Sequence, residues 1–211
     1  MDDDAAGVAA GVVGLYQRHG LAWEADRQAG HRRHPDIERP WLDRFLTLAP
    51  PGPMLDLGCG GGQPMASYLI AQGRAVTGVD TAPALIALAG TRMPDQDWRV
   101  ADMRGLDLGA RYAGILAWDS FFHLDFADQR AMFPVFQRHA LPGAPLMFTS
   151  GPRHGVAMGS YAGEPLHHAS LDPADYRALL DAHGFDVMDF RPEDRDCGGR
   201  SVWLARRGRE P

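Results

Sequence analysis

The sequence predicts an α/β protein built on a Rossmann-like, mostly parallel seven-stranded sheet with helices on both faces. Three observations predict it. Short apolar runs alternate with helix-spaced segments from residue 50 onward, and that alternation specifies a parallel sheet. A glycine-rich turn, Gly58 to Gly62, follows the first apolar run. An aspartate, Asp80, ends the next strand pattern about 20 residues on.

The elements follow in order. Residues 1–7 read as frayed. Val8 to His19 has helical spacing, with Val12, Leu15 and Tyr16 near one face. Arg27 to Pro35 is polar and basic and reads as a mobile connection. Trp41, Leu42, Phe45, Leu46 and Leu48 form a second amphipathic helix, stopped by "APPGP". Strands are expected at Met54–Leu57, Ala75–Val79, Trp98–Ala101, Ile115–Trp118 and Pro145–Thr149, then Phe185–Phe190 and Val202–Ala205. Helices are expected at Met65–Ala71, Pro83–Ala89, Asp128–Ala140 and Pro173–His183. Asp172 caps the last of these and Gly184 stops it. Ser150–Ser170 reads as one long irregular stretch rich in Gly, Pro and His, and a loop that long in a compact domain is more often functional than idle.

Composition narrows the function. The chain has 211 residues, is 45% hydrophobic and carries a net charge of −6. An acidic chain disfavours a phosphate-tracking surface. All 21 basic residues are arginine, which excludes lysine nucleophiles and Schiff bases. Cys59 and Cys197 form no disulfide framework or zinc spacing. The start, MDDDAAG, has no signal-peptide pattern, and no apolar run reaches the roughly 18 residues of a membrane span. A cytoplasmic protein without nucleic-acid or membrane partners is expected.

The glycine turn carries the chemistry. Glycine lets backbone amides approach a ligand that side chains would obstruct. A dinucleotide fingerprint needs G-x-G-x-x-G, but Gln63 stands where the third glycine belongs. The chain reads Asp56-x-Gly58-x-Gly60-x-Gly62 instead. This resembles the D/E-x-G-x-G-x-G signature of the class I S-adenosylmethionine-dependent methyltransferases. "VTGVDTAP", "WRVADMRGL" and "YAGILAWDSFFHL" extend the resemblance over residues 50–207.

The resemblance implies a strand order 3-2-1-4-5-7-6 and S-adenosylmethionine as cofactor, with S-adenosylhomocysteine as product. It implies Asp56, Gly58, Cys59 and Gly60 at the cofactor loop, with Cys59 as a small filler. Asp80 with Thr81 would take the ribose diol. Asp102 would face the adenine amine, Met103 would pack on the ring, and Trp118 would flank the site. Residues 1–49 would form a lid over the 50–211 domain, with 150–170 as a substrate-side loop.

Methyl transfer asks the protein to position an acceptor, exclude water and, for a hydroxyl or acid, remove a proton. His123 is the candidate base, since imidazole titrates near neutrality; Asp119 is a second base or an orienting group. Tyr16, Trp23, Phe122, Tyr161 and His167 are candidate substrate contacts, and Arg33 and His34 are polar groups of the lid. His154, His167 and His168 lack metal-ligand spacing, so no metal is expected. The chain contains no asparagine, hence no N-P-P-Y motif, and it has no D-P-P-Y or Pro-Cys pair. A small-molecule acceptor fits best. Two alternatives stay open: a non-catalytic protein that binds the cofactor or its product, and a nicotinamide-dependent oxidoreductase on the same strand order.

Overall fold

The computed structural model describes residues 2–33 and 36–208. His34 lies outside the described residues. A long helix, α1 (Asp2–Arg33), and a short one, α2 (Arg39–Leu48), precede the first strand. Then come β1 (Met54–Leu57), α3 (Met65–Ala71), β2 (Val76–Asp80), α4 (Pro83–Arg92), β3 (Asp97–Val100) and β4 (Gly114–Ala117). A 3-10 turn at Phe121–His123 leads into α5 (Phe126–His139). The chain continues with β5 (Pro145–Ser150), β6 (Gly155–Tyr161), β7 (Glu164–Ser170), α6 (Pro173–Ala182), β8 (Phe185–Asp194) and β9 (Arg200–Arg207).

Seven strands form one sheet in the order β3-β2-β1-β4-β5-β9-β8. With the β6–β7 pair set aside as an insertion, this is the expected 3-2-1-4-5-7-6. Strands β1 to β5 pair in parallel, and β9 runs antiparallel to both β5 and β8. β1 and β4 are buried along their whole length, which is why they read as continuous apolar runs rather than alternating ones. One face of the sheet packs on an aromatic core of Phe121, Phe133, Phe136, Phe148, Tyr176 and Trp203. The other packs on Trp41, Leu42 and Phe45 of α2. Gly114 serves that second layer: a Cβ there would stand 2.5 Å from Phe45 Cζ.

Residues 2–7, expected to fray, belong to α1, and two further expectations fail, each for a physical reason. Arg27–Arg33 is not a mobile connection; it continues α1. Two of its polar residues are held by tertiary partners, Arg27 by Asp119 far along the chain and His31 by Glu38 at the start of α2. Ser150–Ser170 is not irregular: β6 and β7 pair over their full length. The turn between them places Ala162 and Gly163 at φ +52° and +81°, the two-positive-φ geometry of a tight hairpin. Alanine at the first position conceals the turn, because Asn, Asp or Gly is the recognisable residue there.

Candidate active site

The carboxyl ends of β1, β2 and β4, with the segment after β3, open onto one cleft roofed by α1. Its empty volume is about 890 Å³, open mouth included. Gly58 and Gly60 line it in left-handed conformations, φ +73° and +54°. The glycines meet a second need as well. A Cβ at Gly58 would stand 2.2 Å from Ser120 Cβ, and one at Gly62 would stand 2.4 Å from Met93 Cε. Gly62 does not reach the cleft; it lets the loop seat on Met93 and Trp98. Of the three signature glycines, Gly58 and Gly60 line the cleft and Gly62 does not.

Asp80 ends β2 at the cleft wall. Its Oδ2 accepts from the Gly60 amide and its Oδ1 from the Ala82 amide, both at 2.9 Å. Burial raises its pKa, and those backbone hydrogen bonds oppose the rise. Thr81 lines the cleft beside it, and its carbonyl accepts from Gln17 Nε2 of α1 at 3.2 Å. Asp102 and Met103 line the wall after β3. Burial works against ionisation of Asp102, but the Arg104 guanidinium and amide hold its carboxyl below the usual range. Leu85, Ala101 and Leu124 give the same cleft apolar surface.

Tyr16 of α1 meets His123 in this cleft. Tyr16 Oη and His123 Nε2 are 3.1 Å apart. On the far side of the ring, Nδ1 lies 2.9 Å from the His167 carbonyl. A carbonyl only accepts, so Nδ1 carries the proton and Nε2 holds the lone pair. The Tyr16 hydroxyl therefore donates to Nε2. Burial pushes the His123 pKa down to about 4, the His167 carbonyl partly offsetting it. Burial also pushes the Tyr16 phenol well above its usual value, so it stays protonated. Trp23 stands edge-on to Tyr16 at 5.2 Å between ring centres and also lines the cleft.

Asp119 lines the cleft at φ +48°. Arg200 Nε lies 3.0 Å from both carboxylate oxygens and Nη2 lies 2.9 Å from Oδ2. Arg27 adds a second cation at 3.6 Å. Burial opposes its charge, yet Arg27 and Arg200 lower its pKa. An ionised carboxylate so engaged orients its neighbours; of the two proposed base roles, the geometry suits the orienting one.

The remaining expected residues fall elsewhere. Asp56 is buried inside β1, where desolvation raises its pKa to about 7. Cys59 is buried under the glycine loop with its thiol on the Gly60 carbonyl, and burial pushes that thiol up. Trp118 belongs to the α2-side core, its buried indole nitrogen without a hydrogen-bond partner among the described residues. None of these three reaches the cleft wall. His167 is buried and meets His123 through its backbone. Tyr161 bonds Asp26 of α1 through its hydroxyl. Phe122 lines a neighbouring pocket instead. Arg33 is exposed.

Sequence reasoning missed Arg27, Arg200, Ser120 and Glu24. Glu24 is buried and is bridged to Arg92 at 2.5 Å, and its other oxygen, Oε2, has no hydrogen-bond partner among the described residues, next to the glycine loop. Arg200 had no local signal, since its partner lies 81 residues away. Among the described residues no group of three or more His, Cys, Asp or Glu is placed to hold a metal ion, and no helix is long and apolar enough to cross a membrane.

Sheet order, glycine loop and strand-end acids together define the class I S-adenosylmethionine-dependent methyltransferase fold. Residues 54–143 match the family model described as a methyltransferase domain. Among solved structures, the DhpI–SAH complex is similar, with a TM-score of 0.74 and 17% identity over 97% of this chain and 98% of that one. The magnesium protoporphyrin IX methyltransferase from Synechocystis PCC 6803 superposes with a TM-score of 0.70 and 18% identity, covering 95% and 97% of the two chains. The amino pentose methyltransferase CalS10 from Micromonospora echinaspora gives 0.67 and 20%, covering 86% and 96%. These identities carry the fold alone. No curated protein matches the sequence.

Proposed function

We propose that this protein transfers a methyl group from S-adenosylmethionine to a small-molecule acceptor. One observation supports the reading above others: the cleft that holds the strand-end carboxylate Asp80 and the apolar shelf of Met103 also holds the Tyr16–His123 pair. Neighbours of similar fold are described as methyltransferases of an amino pentose, a glycopeptide and a porphyrin, which favours a small acceptor.

The residues fit an adenosyl sulfonium ligand. Asp80 spends one lone pair per oxygen on backbone amides, leaving capacity for a ribose diol. Met103 and Leu85 suit an adenine face, and Asp102 suits its amine. The orphaned Glu24 oxygen and the acidic wall suit a ligand that brings N–H donors and positive charge. Tyr16 and Trp23 present aromatic faces, which attract cations.

When bound, S-adenosylmethionine would supply an electrophilic methyl group, with S-adenosylhomocysteine as the leaving group. The chain's residues place the acceptor and move its proton. Because His123 Nε2 faces the Tyr16 hydroxyl, a proton leaving the acceptor passes to the Tyr16 oxygen while Tyr16 gives its own to Nε2. Asp119, fixed by Arg200 and Arg27, steadies the imidazolium that forms. α1 excludes water from the exchange.

The non-catalytic alternative rests on one observation. Both nitrogens of His123 are engaged and its basicity is low, which suits a structural histidine. Calorimetric titration with S-adenosylmethionine, S-adenosylhomocysteine and NADH, followed by an acceptor screen with labelled methyl, decides between them. Saturable binding of the first two and transfer to any acceptor supports the proposal. Binding without transfer across the screen favours the non-catalytic reading. Binding of NADH alone overturns both.

A further inference from the structure

A second pocket lies beside the cleft, between the β5–β6 connection and β7. It encloses about 830 Å³ with its mouth and is lined by Phe122, Arg153, His154, Val156 and His168 among others. We propose that this pocket holds an oxyanionic group of the acceptor, a carboxylate or phosphate, with Arg153 as its counter-charge and His168 as a hydrogen-bond partner. The proposal rests on the methyl-transfer reading of the cleft.

Charge is the first argument. Five aspartates line the cleft: Asp80, Asp102, Asp119, Asp125 and Asp128. No residue lining the second pocket is Asp or Glu, although the chain carries a net charge of −6. Arg153 has no acidic partner among the described residues. Most other arginines close to the cleft are paired: Arg27, Arg92, Arg104 and Arg200 each hold a carboxylate. An unpaired guanidinium in an acid-free pocket is a fork for two oxyanion oxygens.

His168 is the second argument. Neither of its ring nitrogens has a hydrogen-bond partner among the described residues, whereas both nitrogens of His123 are engaged. Burial, then neighbouring His167, lowers its pKa, against a weaker pull from Asp119. The ring is therefore neutral, one nitrogen donating and the other accepting. Its centre lies 4.9 Å from the His123 ring and 4.9 Å from Phe122. His168 thus stands between the pocket and the histidine that lines the cleft. An acceptor seated on Arg153 meets this imidazole on its way to His123. Phe122, and His154 stacked at 4.6 Å on Phe126, give the pocket flat walls.

The test uses the full chain saturated with S-adenosylhomocysteine and labelled with 13C at histidine Cε1. Three matched ligands are titrated: 4-hydroxybenzoate, phenyl phosphate and the neutral 4-hydroxybenzamide. We expect the His168 and His154 signals to move with either anion, and the better anion to bind about tenfold more tightly than the amide. The stronger of the two identifies the oxyanion. Arg153→Ala, an exposed position, is expected to cut that preference to below about twofold, with S-adenosylhomocysteine affinity unchanged. Arg153→Glu is expected to abolish anion binding. Equal binding of the amide, shifts confined to His123, or no shift with any ligand overturns the proposal. Failure of the unsubstituted protein to bind S-adenosylhomocysteine overturns the methyl-transfer reading instead, and calorimetry reads that separately from the histidine signals.

Discussion

The cleft under α1 and the pocket behind the β6–β7 hairpin meet through two imidazoles, yet their chemistry is opposite. His123 lines the cleft with both nitrogens committed, in a wall of five aspartates. His168 lines the pocket with both nitrogens uncommitted among the described residues, in a described wall without an acid. Acidic side chains, three of them held by arginines, are thus gathered at the cleft and absent from the pocket's lining. Sorting of this kind steers two ligands of opposite charge to adjacent sites, because a like-charged ligand meets repulsion in the wrong one. It also explains why the bulk composition, read alone, says so little about the acceptor.

The largest effect is expected where the cleft moves a proton. Tyr16→Phe keeps the ring and deletes the hydroxyl that bonds His123. Turnover is expected to fall about 10²-fold or more, the usual weight of a positioned acid–base group. His123→Ala is expected to do the same, and the double variant to fall no further than either single one. Cofactor affinity is expected to stay within about twofold in each, since neither residue holds the nucleoside in this reading. Additive losses in the double variant would show that the two residues do not act as one unit.

The acidic side of the comparison also has a pH signature with two opposed parts. His123 drops from 6.5 to about 4 on folding. The unfolded chain holds the extra proton between those values, so this contribution is full above 6.5 and is lost as pH falls toward 4. Asp56 rises from 3.8 to about 7. There the folded chain holds the extra proton, so the contribution is full below 3.8 and is lost as pH rises toward 7. The two are worth about 3 and about 4 kcal/mol at their limits, and in the shared window their slopes cancel. Relative to the unsubstituted protein, His123→Gln is expected to gain stability as pH falls from 6.5 to 4. Asp56→Asn is expected to gain as pH rises from 4 to 7. Urea midpoints across that range measure both. Parallel slopes for the two variants would contradict the assignment of either group.

Asp80 sharpens the comparison from the cofactor side. Asp80→Ala removes the acceptor of the Gly60 and Ala82 amides along with the candidate ribose contact. Charge-assisted hydrogen bonds contribute about 1.5–3 kcal/mol, so affinity for S-adenosylhomocysteine is expected to fall about ten- to a hundredfold. Asp80→Glu, which keeps the charge and displaces it, is expected to lie between. Unchanged affinity in the alanine variant would remove Asp80 from the ribose role.

The two regions also differ in how far the sequence reveals them. Gly58, Gly60, Asp80, Asp102 and Met103 lie on short local motifs, each at the carboxyl end of a strand, and every one lines the cleft. A local motif survives without knowledge of the tertiary fold. Tyr16 and His123 were legible as residues but not as a pair, because α1 and the 3-10 turn are 107 residues apart. At the hairpin the expectation chose His167, and the structure turns His168 to the pocket. Adjacent residues of a strand face opposite sides, so a single step of register exchanges their roles. Nothing short of the pairing of Met158 with His167 and Ala157 with His168 fixes that choice. Trp118 lies off the cleft wall for a related reason: proximity to the loop in sequence does not say which face of the sheet receives the side chain.

The smallest effect is expected at the latch that holds the hairpin to α1. Glu164 at the hairpin turn takes Arg18 and His19 of α1, and Tyr161 takes Asp26. These contacts are exposed and polar, and exposed ion pairs contribute little to stability. Glu164→Gln with Tyr161→Phe is thus expected to leave the denaturation midpoint unchanged. The latch does lie over both regions, however, because β7 supplies His168 to the pocket and the His167 carbonyl to His123. Releasing it is expected to speed amide exchange of β6 and β7 while the β1–β2 amides keep their protection. Raising salt from about 0.05 to 0.5 M, where screening shortens to a few ångströms, is expected to reproduce that change in the unsubstituted protein. Exchange that quickens equally in β1 and β2 would mean that the hairpin and the sheet open as one unit, and that the boundary between cleft and pocket is not a separate moving part.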